Sequence, residues 1–416
     1  MEQRKPRASK DLSSTTPTTA TATEVAADAA LARLVGDIAV FSERHWGRQP
    51  LLRHTRDDFS DLFDLACVEA LLDSGARRPT VRLVRDGSPL SVAAYTRTIR
   101  LGGVAIDGVV DPVRLAAEVA AGATVILQGL QRTWPPLARF ARSLELATSH
   151  PVQINAYLGP KTSVGLARHA DGHDVIVVQV DGSKTWDVDG LGEHRLTAGD
   201  VLYLPAGTPH APRAEGQASL HLTIGLLRVT QRDVLRRAVD ALGSHLDRPL
   251  PLGYARTDAI GELHRTVADL LARAGTELGV MDVNLVAQRE TLRSTDRLAP
   301  TIAGQLRSVL ALGAVDASTI VRRRADRVVR ISANTDGTDE RVDLDMRDRT
   351  LHVPAFCRRA IEMVLDGDAH RVDELPDLDP PGRVVLVRRL IREHVLIVEV
   401  ATVSARAGGG SVVRRW

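Results

Sequence analysis

At 416 residues, with 44% hydrophobic and 25% charged side chains, the chain is too long for one ordinary core and too apolar to be disordered throughout, so two to four folded units are expected. A net charge of +2 gives no chain-wide attraction to nucleic acid or to a membrane surface. No apolar run approaches the roughly 20 residues that span a bilayer, and the N-terminus has no apolar signal core, so a cytoplasmic location is expected.

Residues 1–24 are rich in Ser, Thr, Ala and Pro without an apolar period, the composition of a disordered tail. From Glu24 to Phe41 apolar residues recur at helical spacing, and Phe41, Trp46, Gln49 and Pro50 lead into a strand at Leu51 and Leu52. Strands are expected at Thr80–Val84, Gly103–Ile106 and Thr124–Leu127, with helices at Pro112–Ala121 and Leu137–Leu146. Between Pro151 and Arg228 the pattern changes to short Val, Leu and Ile strands punctuated by Gly and Pro: Val152–Leu158, Val175–Val180, Thr185–Val188, Asp200–Leu204 and Leu220–Leu226. Evenly spaced short strands of this kind make a barrel or jelly roll, the architecture that includes cupins.

Helical periodicity then returns at Asp233–Leu242, Ala259–Ala274 and Asp282–Arg293. Strands at Val328–Ile331, Val342–Leu344 and Val395–Val400 bracket helices at Pro354–Leu365 and Arg383–Glu393, which is winged-helix order. The expected architecture is α+β: a tail at 1–24, a jelly-roll domain at 25–228, a helical module at 229–313, a winged-helix-like domain at 314–405 and a frayed end at 406–416. The two cysteines, Cys67 and Cys357, stand alone in helical patterns and read as reduced core residues, which excludes a disulfide frame or a zinc finger.

Chemistry concentrates in the jelly roll. His169 and Asp171 form an i, i+2 pair just before a strand, where extended backbone points both to one side. His210 follows 39 positions after Asp171, in a Pro-Gly-Pro turn that aims its ring back toward the same mouth. Two histidines and a carboxylate make the facial set of non-haem iron(II) oxygenases, which leaves coordination positions open; a structural zinc site would be closed and tetrahedral. His173 and Asp174 are out of phase with this set and are weaker ligand candidates.

Lysine occurs only at Lys5, Lys10, Lys161 and Lys184, against 54 basic residues in all, so a lysine in a folded region stands out. Asp181-Gly182 reads as a hairpin turn that sets Lys184 at the start of the next inward-facing strand. There its ammonium can meet the distal carboxylate of a 2-oxoglutarate whose keto-acid end chelates the metal. Asn155 and Tyr157, another i, i+2 pair, can line the same pocket with Thr223, whereas His221 reads as a structural histidine.

These stretches together, from Asn155-Ala-Tyr157 through His169-Ala-Asp171-Gly-His173-Asp174, Gln179 to Trp186, Pro205 to His210 and Ser219 to Thr223, resemble the JmjC/cupin-like ribosomal oxygenases. Phe41 to Leu52 is similar to the segment that opens that family's domain, and the resemblance runs from about Ala30 to Arg228. It implies a hydroxylase of Arg or His side chains in ribosomal proteins, using Fe(II), 2-oxoglutarate and O2. It implies His169, Asp171 and His210 as iron ligands, Lys184 on the distal carboxylate, and Asn155, Tyr157 and Thr223 near the cosubstrate. It further implies a homodimer formed through the helical module. Residues 331–400 carry 15 acidic and 10 basic side chains, so this part would repel phosphate, and nucleic-acid binding is not expected. Two other readings stay open on the residues alone: a hydroxylase that tailors a peptide natural product or free amino acid, and a catalytically silent metal-binding cupin.

Overall fold

The structure, a computed structural model, describes residues 22–161, 163, 167–297, 301–324, 329–333, 341–346 and 348–399. The frayed end expected at 406–416 and most of the expected tail lie outside these residues, although a helix already begins at Ala22. Two compact units divide the chain: Ala27–Ala299, and a unit holding 22–26 with the described residues from 301 onward. Among the described residues no helix is long and apolar enough to cross a membrane.

The larger unit takes α1 (Ala22–Val35) from Ala27 onward and then the single turn α2 (Ile38–Val40), which is capped by the Asp37 carboxylate accepting from Val40 N at 3.0 Å. A π turn at Phe41–His45 delivers the chain to β1 (Leu51–His54). Then come α3 (Leu65–Asp73), β2 (Val81–Arg85), β3 (Ser88–Pro89), the hairpin β4 (Thr96–Leu101) and β5 (Val104–Val110), α4 (Pro112–Ala120), β6 (Thr124–Leu127) and α5 (Pro135–Thr148). The expected jelly-roll segment supplies β7 (Val152–Gly159), β8 (Asp174–Val188), β9 (Gly192–Thr197), β10 (Asp200–Leu204) and β11 (His210–Leu226). Helices α6 (Gln231–Asp240), α7 (Ile260–Gly279) and α8 (Val283–Asp296) close this unit.

Its main sheet runs β1-β10-β8-β11-β7-β6-β2-β3, with β9 paired to β8. Strand side chains alternate between faces, and the burial follows that alternation. On one face Leu83, Val125, Ile154, Ala156, Ile176, Val178, Tyr203, Leu222 and Ile224 pack with Leu34, Val68, Leu115, Phe140 and Leu144 from α1, α3, α4 and α5. The intervening residues face the other way, where Val175, Val177, Trp186, Leu196, Leu202 and Leu204 make a smaller cluster. β8 therefore buries Val175 to Val178 on both faces, each no more than 2% exposed, and reads as a continuous apolar run.

Two expectations are corrected here. Asp181-Gly182 is not a hairpin turn: the two strands expected at 175–180 and 185–188 are one strand of 15 residues. Gly182 does have the positive φ (+64°) that makes it resemble a turn, but it serves an irregularity in the β8–β11 pairing. His221 faces Gln179 and Leu220 faces Asp181, so Val180 is an extra residue on β8, and a second shift falls between Ala214 and Ser219. A side chain on Gly182 would place its Cβ 1.9 Å from the Ala218 carbonyl oxygen, so only glycine fits. The other correction is that the strand expected at Leu220–Leu226 begins ten residues earlier, at His210.

The second unit comprises α9 (Gln305–Leu310), β12 (Ile320–Arg323), β13 (Arg330–Ala333), β14 (Arg341–Asp345), β15 (Thr350–Pro354), α10 (Arg358–Val364), β16 (Ala369–Arg371), α11 (Pro380–Arg392) and β17 (Leu396–Val398). The strands expected to bracket the helices are divided between two sheets, β16-β12-β17 and β13-β14-β15. Val321, Val342, Leu344, Ile361, Val387, Leu390 and Ile391, all fully buried, form its core.

Candidate metal centre and its cavity

His169 and His210 lie 41 positions apart in sequence and directly opposite in space. Their backbones exchange two hydrogen bonds, His169 N to His210 O at 3.0 Å and His210 N to His169 O at 2.8 Å, an isolated bridge just outside the sheet. Gly207 N donates to Asp171 O at 2.8 Å, so the segment 169–171 is zipped to the segment 207–210. The rings of His169 and His210 lie 4.4 Å apart, His210 Nε2 is 3.7 Å from an Asp171 oxygen, and ligand atoms of all three residues fall within 4.8 Å of one another.

Both imidazoles are oriented by their own backbone. His169 Nδ1 donates to Ala167 O at 2.8 Å and His210 Nδ1 to Thr208 O at 3.0 Å. With the proton held at Nδ1, the Nε2 lone pair of each ring is free for a cation. Burial lowers the pKa of His210, which favours the neutral ligating form. The donor set, two imidazole nitrogens and one carboxylate brought to a point by backbone pairing, fits a divalent transition metal with open positions.

Asp174, a weaker ligand candidate from its spacing, points away into the protein. It is fully buried and accepts from Tyr203 OH at 2.7 Å and Ala206 N at 2.9 Å, with Arg228 paired at 3.1 Å. Tyr203 OH in turn accepts from Gly47 N at 2.7 Å, and burial, together with its hydrogen bond to Asp174, keeps it protonated. This buried chain fixes the Pro205–Thr208 turn that carries His210. His173 is spent in packing, its ring lying against Gly225, where any Cβ would come within 2.7 Å of Nε2.

The cavity behind the three residues is walled by Val84, Thr124, Ile126, Tyr157, Val175, Lys184, Trp186, Pro212, His221 and Thr223. These come from the second face of the sheet. Lys184 and Trp186 join Val175 there, although their numbers have opposite parity, because the extra residue in β8 rotates the strand by one position. Lys184 is only 5% exposed, makes no side-chain hydrogen bond or ion pair with any described residue, and has its pKa pulled down to about 8 by burial.

Tyr157 and Thr223 thus share the cavity with Lys184, and Asn155 does not line it. Although Asn155 lies opposite Thr223 in the sheet, its amide oxygen is taken by Gly129 N at 3.0 Å. His221, set aside from sequence as structural, does line the cavity: its ring stacks on Tyr157 at 5.0 Å and meets Trp186 edge-on at 5.6 Å. The signal for it was its phase, since His221 and Thr223 are two apart on one strand and must share a face.

Comparison with known proteins agrees with this frame. Residues 130–195 and 189–234 match the JmjC domain. The chain is 36% identical over 135 residues to the "bifunctional lysine-specific demethylase and histidyl-hydroxylase NO66" of Drosophila simulans, covering 24% of this chain and 16% of that protein. It is 28% identical over 211 residues to "ribosomal oxygenase 1" of Gallus gallus, covering 44% of this chain and 34% of that one. The chain therefore spans well under half the length of these curated relatives. Among solved structures it is similar to YcfD, a ribosomal oxygenase from Escherichia coli in complex with cobalt and succinic acid, with 16% identity, 88% of this chain and 99% of that chain covered, and a TM-score of 0.46. The three gathered residues fall inside the stretch that matches the JmjC domain, His169 and Asp171 in its first part and His210 in its second. Over residues 130–234, then, the chain is similar to JmjC-domain proteins.

Proposed function

We propose that the protein is an Fe(II)- and 2-oxoglutarate-dependent oxygenase that hydroxylates an Arg or His side chain of a protein, and that this substrate is a ribosomal protein. One observation carries the reading: a buried lysine without an anionic partner among the described residues shares a cavity with three residues placed to hold a metal ion. An unpaired buried ammonium is costly, and a dicarboxylate anchored on a metal at one end brings the missing counter-charge to the other.

In this reading His169, Asp171 and His210 hold iron(II), and Lys184 receives the distal carboxylate of 2-oxoglutarate. Bound iron and 2-oxoglutarate supply the oxidising chemistry, in which O2 is consumed, 2-oxoglutarate leaves as succinate and CO2, and one oxygen atom enters the substrate. The protein's part is geometric. The His169–His210 bridge presents two neutral imidazoles, the Asp174 chain fixes the turn beneath them, and Tyr157, Ile126, Val175 and Trp186 give the cosubstrate a largely apolar wall that excludes water. The names of the relatives, which include a histidyl-hydroxylase and ribosomal oxygenases, support a protein substrate.

The same reading assigns the helical module at 229–313 to homodimerisation, 314–405 to a winged-helix-like domain that does not read DNA, and the protein to the cytoplasm. Leu235, Val239, Val267 and Leu271, exposed on α6 and α7, support a self-association surface. The deciding experiment measures succinate from 2-oxoglutarate by iron-loaded protein in air, with total ribosomal protein added. Turnover stimulated by ribosomal protein and lost in His169→Ala and Lys184→Ala is expected. Iron-dependent turnover indifferent to ribosomal protein would point to a small peptide or amino-acid substrate, and no turnover under any condition to a silent cupin.

A further inference from the structure

Among the described residues, His221 and Trp186 both line the cavity with an enclosed side-chain nitrogen that has no hydrogen-bond partner, and of the two only the His221 ring has a second nitrogen to offer a ligand. His221 is 3% exposed, yet no hydrogen bond involves its side chain among the described residues, and Nδ1 is enclosed without a partner. Burial and the nearby Lys184 charge both disfavour the imidazolium, so the ring is neutral and carries a single proton. An enclosed N–H without an acceptor is costly, which places the proton on Nε2, the nitrogen left to face the cavity. The ring cannot turn freely, because Tyr157 stacks parallel to it, with 3° between the planes, and Trp186 closes its edge. Trp186 also lies 5.8 Å from His210, so one indole touches both the metal-ligand set and His221.

We infer that His221 is a cosubstrate-recognition residue, whose Nε2–H donates to the same distal carboxylate that Lys184 neutralises. This rests on the reading of the cavity as a 2-oxoglutarate site. Lys184 supplies charge from a flexible stem, and His221 supplies direction from a ring clamped by two aromatic neighbours. Such a pair selects a 2-oxoacid with a carboxylate at the far end over one that ends in a methyl group.

The test is equilibrium binding to anaerobic, manganese-loaded protein, read by tryptophan fluorescence and calorimetry, with 2-oxoglutarate and 2-oxobutyrate as probes. His221→Phe keeps the aromatic packing and removes the donor. It should weaken 2-oxoglutarate binding by roughly 10- to 100-fold, as for one hydrogen bond to a charged group, and leave 2-oxobutyrate binding unchanged. His221→Asn, which restores an N–H, should recover part of the loss. In the unsubstituted protein, 15N signals of the His221 ring should show an Nε2-protonated neutral imidazole that shifts on addition of 2-oxoglutarate and not of 2-oxobutyrate. Unsubstituted protein that binds 2-oxoglutarate, together with a folded His221→Phe of equal affinity or a ring signal that does not move, would overturn this assignment alone. Failure of the unsubstituted, metal-loaded protein to bind 2-oxoglutarate at all would overturn the cosubstrate reading and this assignment with it.

Discussion

At the scale of single residues, Lys184 couples stability to binding. Its folded pKa of about 8 lies below the unfolded value, so below pH 8 the folded state carries the full cost of a buried ammonium, on the order of 3 kcal/mol, and that cost fades as pH rises from 8 toward 10.5. Lys184→Met should therefore melt higher than the unsubstituted protein at pH 7, with the gap closing by pH 10 in urea titrations, while losing 2-oxoglutarate binding. A bound carboxylate raises the pKa again, so 2-oxoglutarate affinity should fall above pH 8 by up to about tenfold per pH unit, measured by calorimetry. Affinity that stays flat to pH 9.5 would mean that Lys184 does not meet the anion. The gathering of His169, Asp171 and His210, and the burial of Lys184 in the cavity beside them, were legible in the sequence because their signal is local: an i, i+2 pair, a turn before a histidine, and a lysine in a chain that avoids lysine. The hydrogen bond that Asn155 accepts from Gly129 N was not legible, because its partner comes from 26 positions away and leaves no local mark.

At the scale of elements, β8 was legible as two strands and is one. A glycine at positive φ after an aspartate suits a hairpin turn and a bulge equally, and only the pairing partner decides between them. That partner is Ser219, fixed by the β11 register. Gly182→Ala would drive a methyl into the Ala218 carbonyl and force a strained φ, so it should destabilise the protein by about 3 kcal/mol or more in urea unfolding. The metal site at the far end of the strand should also weaken. If Gly182→Ala unfolds at the same urea concentration as the parent, the irregularity is not held as described. The amphipathic helices α4, α5, α6 and α7 were legible because their faces persist over several turns. The six-residue α9 was not, since one and a half turns give too little periodicity to read.

At the scale of the whole molecule, every residue of the ligand set and the cavity wall falls between Val84 and Thr223, inside the larger compact unit. A protein truncated to residues 27–299 should bind Mn(II) and 2-oxoglutarate within a factor of about two of the full chain, as one conformational unit that contains the site. A tenfold loss would show that the second unit shapes the cavity. The general plan, a strand-rich middle followed by helices and a mixed end, was legible from the change of period along the chain. The sheet order was not, because β1 pairs with β10 across about 150 positions, and nothing near either strand announces the other.

The change of face within β8 also limits how this chain can vary through evolution. A strand whose side chains alternate has something like a reading frame, and Val180 shifts it once, between the apolar run that builds the core and the Lys184-Thr185-Trp186 stretch that serves the cavity. One residue deleted or inserted between Val175 and Gly182 would restore simple alternation, turning Lys184 into the core and an aliphatic side chain toward the metal. Lineages descended from this protein should therefore hold the spacing from Asp171 to Lys184 constant, or change it in compensated pairs, while loop lengths outside β8 drift freely.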